Sequence, residues 1–236
     1  MLRHPWILAA CLMLAACTPS LEGLQQYAQD KLQQSVAAEF GRQLGRGVNT
    51  VVTELGAAGG YLDDPLVRIL LPPPLGMVIG VARDLHTNPE AAALEILMNR
   101  AAEQAIPGAG PVLQELVAGL DPREMAILFE GDGTAATDYL RIRAEDAVLA
   151  AVLPEVDRKL EESGAVEAYR ELLELEQDIE TIQEQGEQLG DLVESDELGA
   201  YVAGKAVDGL FKRLGREEQA IRDVLSDSEL PKGLSK

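Results

Sequence analysis

The sequence predicts an all-α protein, a multi-helix, mainly antiparallel bundle with one long acidic helix or helical arm. Three observations carry that prediction. Apolar residues recur at three- and four-residue steps over most of the 236-residue chain. Runs with strand alternation are nearly missing. Capping residues followed by proline, Asn88-Pro89 and Asp121-Pro122, punctuate the periodic stretches. With 47% hydrophobic and 25% charged residues the chain can build one core, which excludes wholesale disorder.

The first element stands apart from the bundle. Arg3 and His4 precede an apolar run from Trp6 to Ala16, too short to span a bilayer and shaped like a secretory leader. Leu14-Ala15-Ala16-Cys17 matches a bacterial lipobox, in which the Cys is acylated and becomes the first residue after cleavage. Cys17 is therefore the expected lipid attachment site, and Thr18 after it points to the outer membrane. The expected organisation is a leader at 1–16, a lipidated tether at 17–20, a helical domain at 21–227 and a tail at 228–236. The expected location is the periplasmic face of the outer membrane of a Gram-negative cell, with the membrane as a partner through acyl chains. More than one chain is needed for lasting attachment.

Cleavage before Cys17 removes the only Trp, one of the two Cys and one of the two His. The remaining 220 residues carry 19 basic and 40 acidic side chains, a formal charge of −21. No second Cys is left for a disulfide, and neither a Cys-rich zinc site nor a Cys nucleophile can be assembled. A Ser-His-Asp triad would have to use His86, which lies in an inter-helix turn where a solvated histidine is the simpler reading. The acidity argues against nucleic acid as a partner. No cofactor is expected.

The first helix runs from Leu21 on the stripe Leu24, Ala28, Leu32, Val36, Phe40, Leu44, Val48, Val51 and Leu55, with Ser20 as its cap. Gly41, Gly45 and Gly47 are points where it can break or bend. Its start three residues beyond Cys17 makes the tether short and sets the domain close to the bilayer. The prolines at 72–74 forbid a continuous helix there. Further helices are expected at about 75–85, 89–106, 111–120, 122–130, 134–153, 155–163, 165–189 and 196–225. Residues 161–197 hold fourteen Asp or Glu against the single Arg170. That amphipathic, acidic stretch reads as a solvated face, or alternatively as a docking surface for a basic partner or divalent ions.

Three polar constellations interrupt helices otherwise rich in Ala, Leu and Ile. The first is Met98-Asn99-Arg100-Ala-Ala-Glu103, with Asn99 and Glu103 one turn apart and Arg100 within reach of Glu103. The second is Gly131-Asp132-Gly-Thr134-Ala-Ala-Thr137-Asp138-Tyr-Leu-Arg141, where Asp132 or Thr134 serves as a cap and Thr134, Asp138 and Arg141 share a face. The third is Tyr201-Val-Ala-Gly-Lys205-Ala-Val-Asp208-Gly-Leu-Phe211, where Tyr201, Lys205 and Asp208 align in the same way. An EF-hand fails at Ala136 and at Arg143, where a Glu is required. A phosphate-gripping loop fails because no Gly-Lys-Ser or Gly-Lys-Thr follows Gly133.

With Tyr61-Leu-Asp-Asp-Pro65-Leu-Val-Arg68-Ile before them, these segments make residues 45–225 resemble the bacterial family catalogued as domain of unknown function 4197. Four ordered matches, YLDDPLVRI, MNRAAEQAIP, GDGTAATDYLR and YVAGKAVDGLF, carry the resemblance. It implies small secreted or lipid-anchored helical proteins with no established activity, and it brings no catalytic residues. The acidic stretch 174–197 departs from it, being longer and more charged than the usual connection.

Charged groups on these helices need partners if buried, since an unpaired charge in a core costs several kcal/mol. One expectation is a network of Arg100, Glu103, Asp138, Arg141, Lys205 and Asp208 fixing the register of the bundle. The other is a pocket for a small anionic or zwitterionic ligand, with Arg100, Arg141 and Lys205 as cations and Thr134 and Thr137 as hydroxyl donors. The function expected is a non-enzymatic binding or envelope-interaction module with an envelope protein or small anionic ligand as partner. The alternatives are a hydrolase or lyase using Arg100, Glu103, Asp138 and Lys205 on an envelope substrate, and a self-associating structural lipoprotein.

Overall fold

A computed structural model of the chain describes residues 21–73, 75, 88–175 and 193–229. The helices are α1 (Leu21–Gly56), α2 (Pro89–Ala105), α3 (Ala109–Gly119), α4 (Pro122–Glu130), α5 (Ala135–Ser163), α6 (Ala165–Leu175) and α7 (Leu198–Glu229), with a 3-10 turn at Ile106–Gly108. No strand occurs among the described residues. The all-α, multi-helix fold is as the periodicity predicts. Cys17, His86, the expected helix at 75–85 and the stretch 176–192 of the acidic arm lie outside the described residues.

The bundle is organised around α7, which packs along both α1 and α5. On α5 rest α2 and α3, on α1 rests α4, and α6 closes against α2 and α5. One core runs through all of them, with Phe40, Tyr61 and Tyr169 among its largest fully buried side chains. Two start signals behave as the sequence predicts. Asn88 Oδ1 accepts from the amides of Glu90 and Ala91 ahead of Pro89. Asp121 and Glu124 form a reciprocal capping box around Pro122.

Two expected boundaries are corrected. Pro154 does not divide residues 134–163; α5 is continuous with Pro154 inside it. Leu140, Ala144, Val148, Val152, Val156 and Leu160 form one buried stripe through that position, and its packing outweighs the hydrogen bond that proline removes. Nor do the glycines break α1. At Gly47 a Cβ would stand 2.9 Å from Glu217 Cγ, so this glycine lets α7 approach.

No helix among the described residues is long and apolar enough to cross a membrane.

Candidate functional site

The segment 57–73 between α1 and α2 has little regular structure, so its backbone donors and acceptors need partners from elsewhere. The polar residues of α2 supply them. Glu103, nearly fully buried, accepts through Oε1 from the amides of Gly59, Tyr61 and Leu62 at 3.1, 3.3 and 3.3 Å. One turn earlier, the buried Asn99 treats Ile69 as a strand would: its Oδ1 accepts from the Ile69 amide at 2.9 Å and its Nδ2 donates to the Ile69 carbonyl at 2.7 Å. A further turn back, Glu95, with 1% of its side chain exposed, pairs with Arg68. Three residues at four-residue spacing thus hold one length of chain, which is why a helix can carry them on its inner face.

From the other side the same segment is held by α7. The Tyr61 hydroxyl donates to the Ala206 carbonyl at 2.8 Å, and Tyr201 donates to the Leu70 carbonyl at 3.1 Å. Burial, with Glu103 beside it, pushes the Tyr61 hydroxyl far above the ordinary tyrosine range. Arg213 spans Asp64 at 3.0 Å and Glu54 at 2.6 Å. Gly209 explains itself here, since a Cβ would lie 2.9 Å from the Tyr61 ring. The motifs YLDDPLVRI, MNRAAE and YVAGKAVDGLF therefore meet at one place, residues 59–70.

The second constellation meets α7 elsewhere. Arg141 pairs with Asp208 and, at 2.8 Å, with Glu145, and its guanidinium lies 5.6 Å from the centre of the Phe211 ring. The Glu145 hydrogen bond, followed by that of Asp208, raises its pKa further. Thr134 donates to Asp138 at 3.1 Å. Lys205 stands over the Tyr201 ring with its Nζ 5.5 Å from the centre, so it does not join Asp208.

Several expectations change at this point. Arg100 is exposed and does not pair with Glu103, whose bound oxygen is taken by the three loop amides. Neither Asp132 nor Thr134 caps α5 through its side chain. The cap comes from far along the chain: Glu218, completely buried, accepts from the amides of Ala136 at 3.0 Å and Thr137 at 2.7 Å. Thr137 is buried as well, and its hydroxyl has no hydrogen-bond partner among the described residues. A single network of the six charged residues is not formed. Asp138 lies in the first turn of α5, while Gly108, just past α2, abuts Ala151. Those two positions on α5 are thirteen residues apart, about 20 Å of helix rise.

Glu218 and its partner Arg222 form the polar centre that the sequence reading missed. Arg222 donates to Glu218 at 2.6 Å and to the carbonyls of Leu128 and Phe129 at 2.6 Å each. Its guanidinium also lies 4.9 Å from the Phe40 ring centre and 5.8 Å from that of Phe129. One pair on α7 thereby serves both sides of the turn between α4 and α5: the anion meets the helix N-terminus and the cation the helix C-terminus, each where the helix dipole favours it. In sequence it is an ordinary i, i+4 pair, like the exposed Arg158–Glu162.

A search against family models matches residues 31–229 to the family described as a protein of unknown function (DUF4197). The chain belongs to the DUF4197 family. No curated protein matches, and neither does any solved structure. The four segments that carried the resemblance all lie within the DUF4197 match, and two of the clamps described here join them to one another.

The remaining surface holds shallow open grooves. A groove of about 480 Å³ runs between α1 and the α3–α4 corner, with Arg42, Arg46, Asn49 and Gln114 around Val117 and Met125. Among the described residues no group of three His, Cys, Asp or Glu is placed to hold a metal ion.

Proposed function

We propose that this DUF4197 protein is a lipid-anchored envelope protein that works by binding a partner, without catalysing a reaction, from the periplasmic face of the outer membrane. The anchor rests on Leu14-Ala15-Ala16-Cys17 behind a short apolar leader. The binding role rests on one observation. Most of the polar side chains of the three constellations end on main chain or on each other: Glu103 on three amides, Asn99 on Ile69, Arg141 on Asp208, Thr134 on Asp138. Residues used this way hold a surface in shape. Glu103 and Arg100 border one groove of about 320 Å³ with Asp63 and Gln104, but Asp138 and Lys205 do not line it. The bound Glu103 oxygen is committed to three amides, whereas general acid-base chemistry needs groups free to exchange protons with a substrate. In-cell crosslinking of the anchored chain at its natural level, read by mass spectrometry, tests the proposal. Reproducible capture of one envelope partner is expected. Turnover of an envelope substrate by the purified protein, abolished by Glu103→Gln with the fold intact, overturns it in favour of a hydrolase or lyase.

A further inference from the structure

The amphipathic stripe of α1 changes environment partway along the helix. From Val36 onward its apolar residues are buried, among them Phe40, Leu44 and Val48. Before Val36 the stripe comes to the surface: Leu24, Tyr27 and Leu32 are 51%, 62% and 58% exposed, with Leu32 and Gln33 still beside the end of α4, where Gln33 donates to Glu130 at 3.5 Å. With Lys31 they fall within an arc of about 140° on a rise of about 12 Å. The Lys31 ammonium lies 5.7 Å from the centre of the Tyr27 ring. Thus one face of an otherwise polar helix end, with Gln25, Gln26, Gln33 and Gln34 around it, carries two leucines, a tyrosine and a lysine.

We propose that this face of α1 lies in the headgroup layer of the membrane, as a second attachment beside the lipid on Cys17. The inference rests on the anchor reading. Only three residues separate Cys17 from Leu21, and the four steps reach at most about 14 Å, so an acylated Cys17 brings the first turns of α1 to the bilayer surface. The residue types fit that depth. Leucine enters the acyl boundary, tyrosine sits at the interface with its hydroxyl wet, and lysine extends its stem along the apolar surface to reach phosphate. The charge fits too: residues 21–35 carry only Glu22, Asp30 and Lys31, whereas the whole chain has a net charge of −20. A second copy is the poorer occupant. Pairing two such faces would bury Lys31 without a carboxylate partner, on a stripe shorter than the three or four heptads a coiled coil needs.

The test uses the mature lipoprotein in vesicles of phosphatidylethanolamine and phosphatidylglycerol. Trp6 is the only tryptophan and lies upstream of Cys17, so Tyr27→Trp gives the mature chain a single indole. The expected result is emission at shorter wavelength, loss of most of it when the lipids carry brominated acyl chains, and weak quenching by aqueous iodide. Leu24→Gln with Leu32→Gln is expected to reverse the lipid quenching while the acyl mass on Cys17 stays. An acylated chain whose indole is quenched by iodide and untouched by brominated lipid overturns the proposal and leaves the anchor standing. An intact mass without acyl groups overturns the anchor and this placement together. Protection from iodide that ignores brominated lipid and rises with the protein-to-lipid ratio assigns the face to a second copy and overturns the lipid assignment.

Discussion

Two irregular stretches of backbone among the described residues, 59–70 and the turn at 128–137, are satisfied in opposite ways. Residues 59–70 are clamped from both sides, by Glu95, Asn99 and Glu103 on α2 and by Tyr61, Tyr201 and Arg213 reaching between the segment, α1 and α7. The turn at 128–137 takes the greater part of its support from one buried ion pair, Glu218–Arg222. Support spread over many hydrogen bonds and ion pairs loses about 1–3 kcal/mol when one is removed, while the others hold the chain in place. A buried charge stripped of its partner loses several. The first region is therefore expected to yield gradually to mutation and the second abruptly.

The sharpest way to break that contrast is Glu218→Ala, which strands Arg222 and two helix-end amides. A loss of about 3–5 kcal/mol is expected in urea unfolding followed by circular dichroism; less than about 1 kcal/mol would mean that the turn is held by other means. Asn99→Ala orphans both the amide and the carbonyl of Ile69 in the core, and about 2–4 kcal/mol is expected by the same measurement. Tyr61→Phe removes only the hydroxyl bond to Ala206 and should cost about 1 kcal/mol. Arg141→Ala touches a pair in which each side chain is 39% exposed, so its effect on stability should stay below about 1 kcal/mol. A larger loss would move Arg141 into the class of Arg222.

The smallest effect concerns pH. Asp157 lies against the first turn of α7, where a Cβ on Gly199 would collide with its carboxylate. Burial first, and Glu161 second, raise its pKa above 3.8. A carboxyl raised in the folded state favours folding while protonated, and that contribution is lost as pH rises through the folded value. Asp157→Asn should therefore stabilise the protein slightly at neutral pH, and the gain should vanish as pH falls toward 3.8. A gain that persists in acid would show that the charge is not its cause.

Much of the clamp at 59–70 was legible in the sequence. Asn99 and Glu103 stood out because a helix of Ala, Leu and Ile has no local use for them, and such residues are kept for partners. The partner of Glu103 was misread as Arg100. Sequence spacing offers the neighbour at i, i+3, whereas the fold offers three free amides of a loop that must be satisfied. Glu218 and Arg222 gave no signal at all. Acidic and basic residues at i, i+4 are commonplace on exposed faces, and nothing local distinguishes a pair that the fold then buries.

By itself the sequence determined the helices, their caps at Asn88 and Asp121, the family, and the polar residues that had to be satisfied. These follow from periodicity and residue chemistry within a few turns of helix. Tertiary structure decided that α5 runs through Pro154, that the apolar stripe of α1 is exposed before Val36, and that α7 rather than Thr134 caps α5. Each of these depends on which distant segment lies alongside, and a hydrogen bond across more than eighty residues leaves no trace in local spacing.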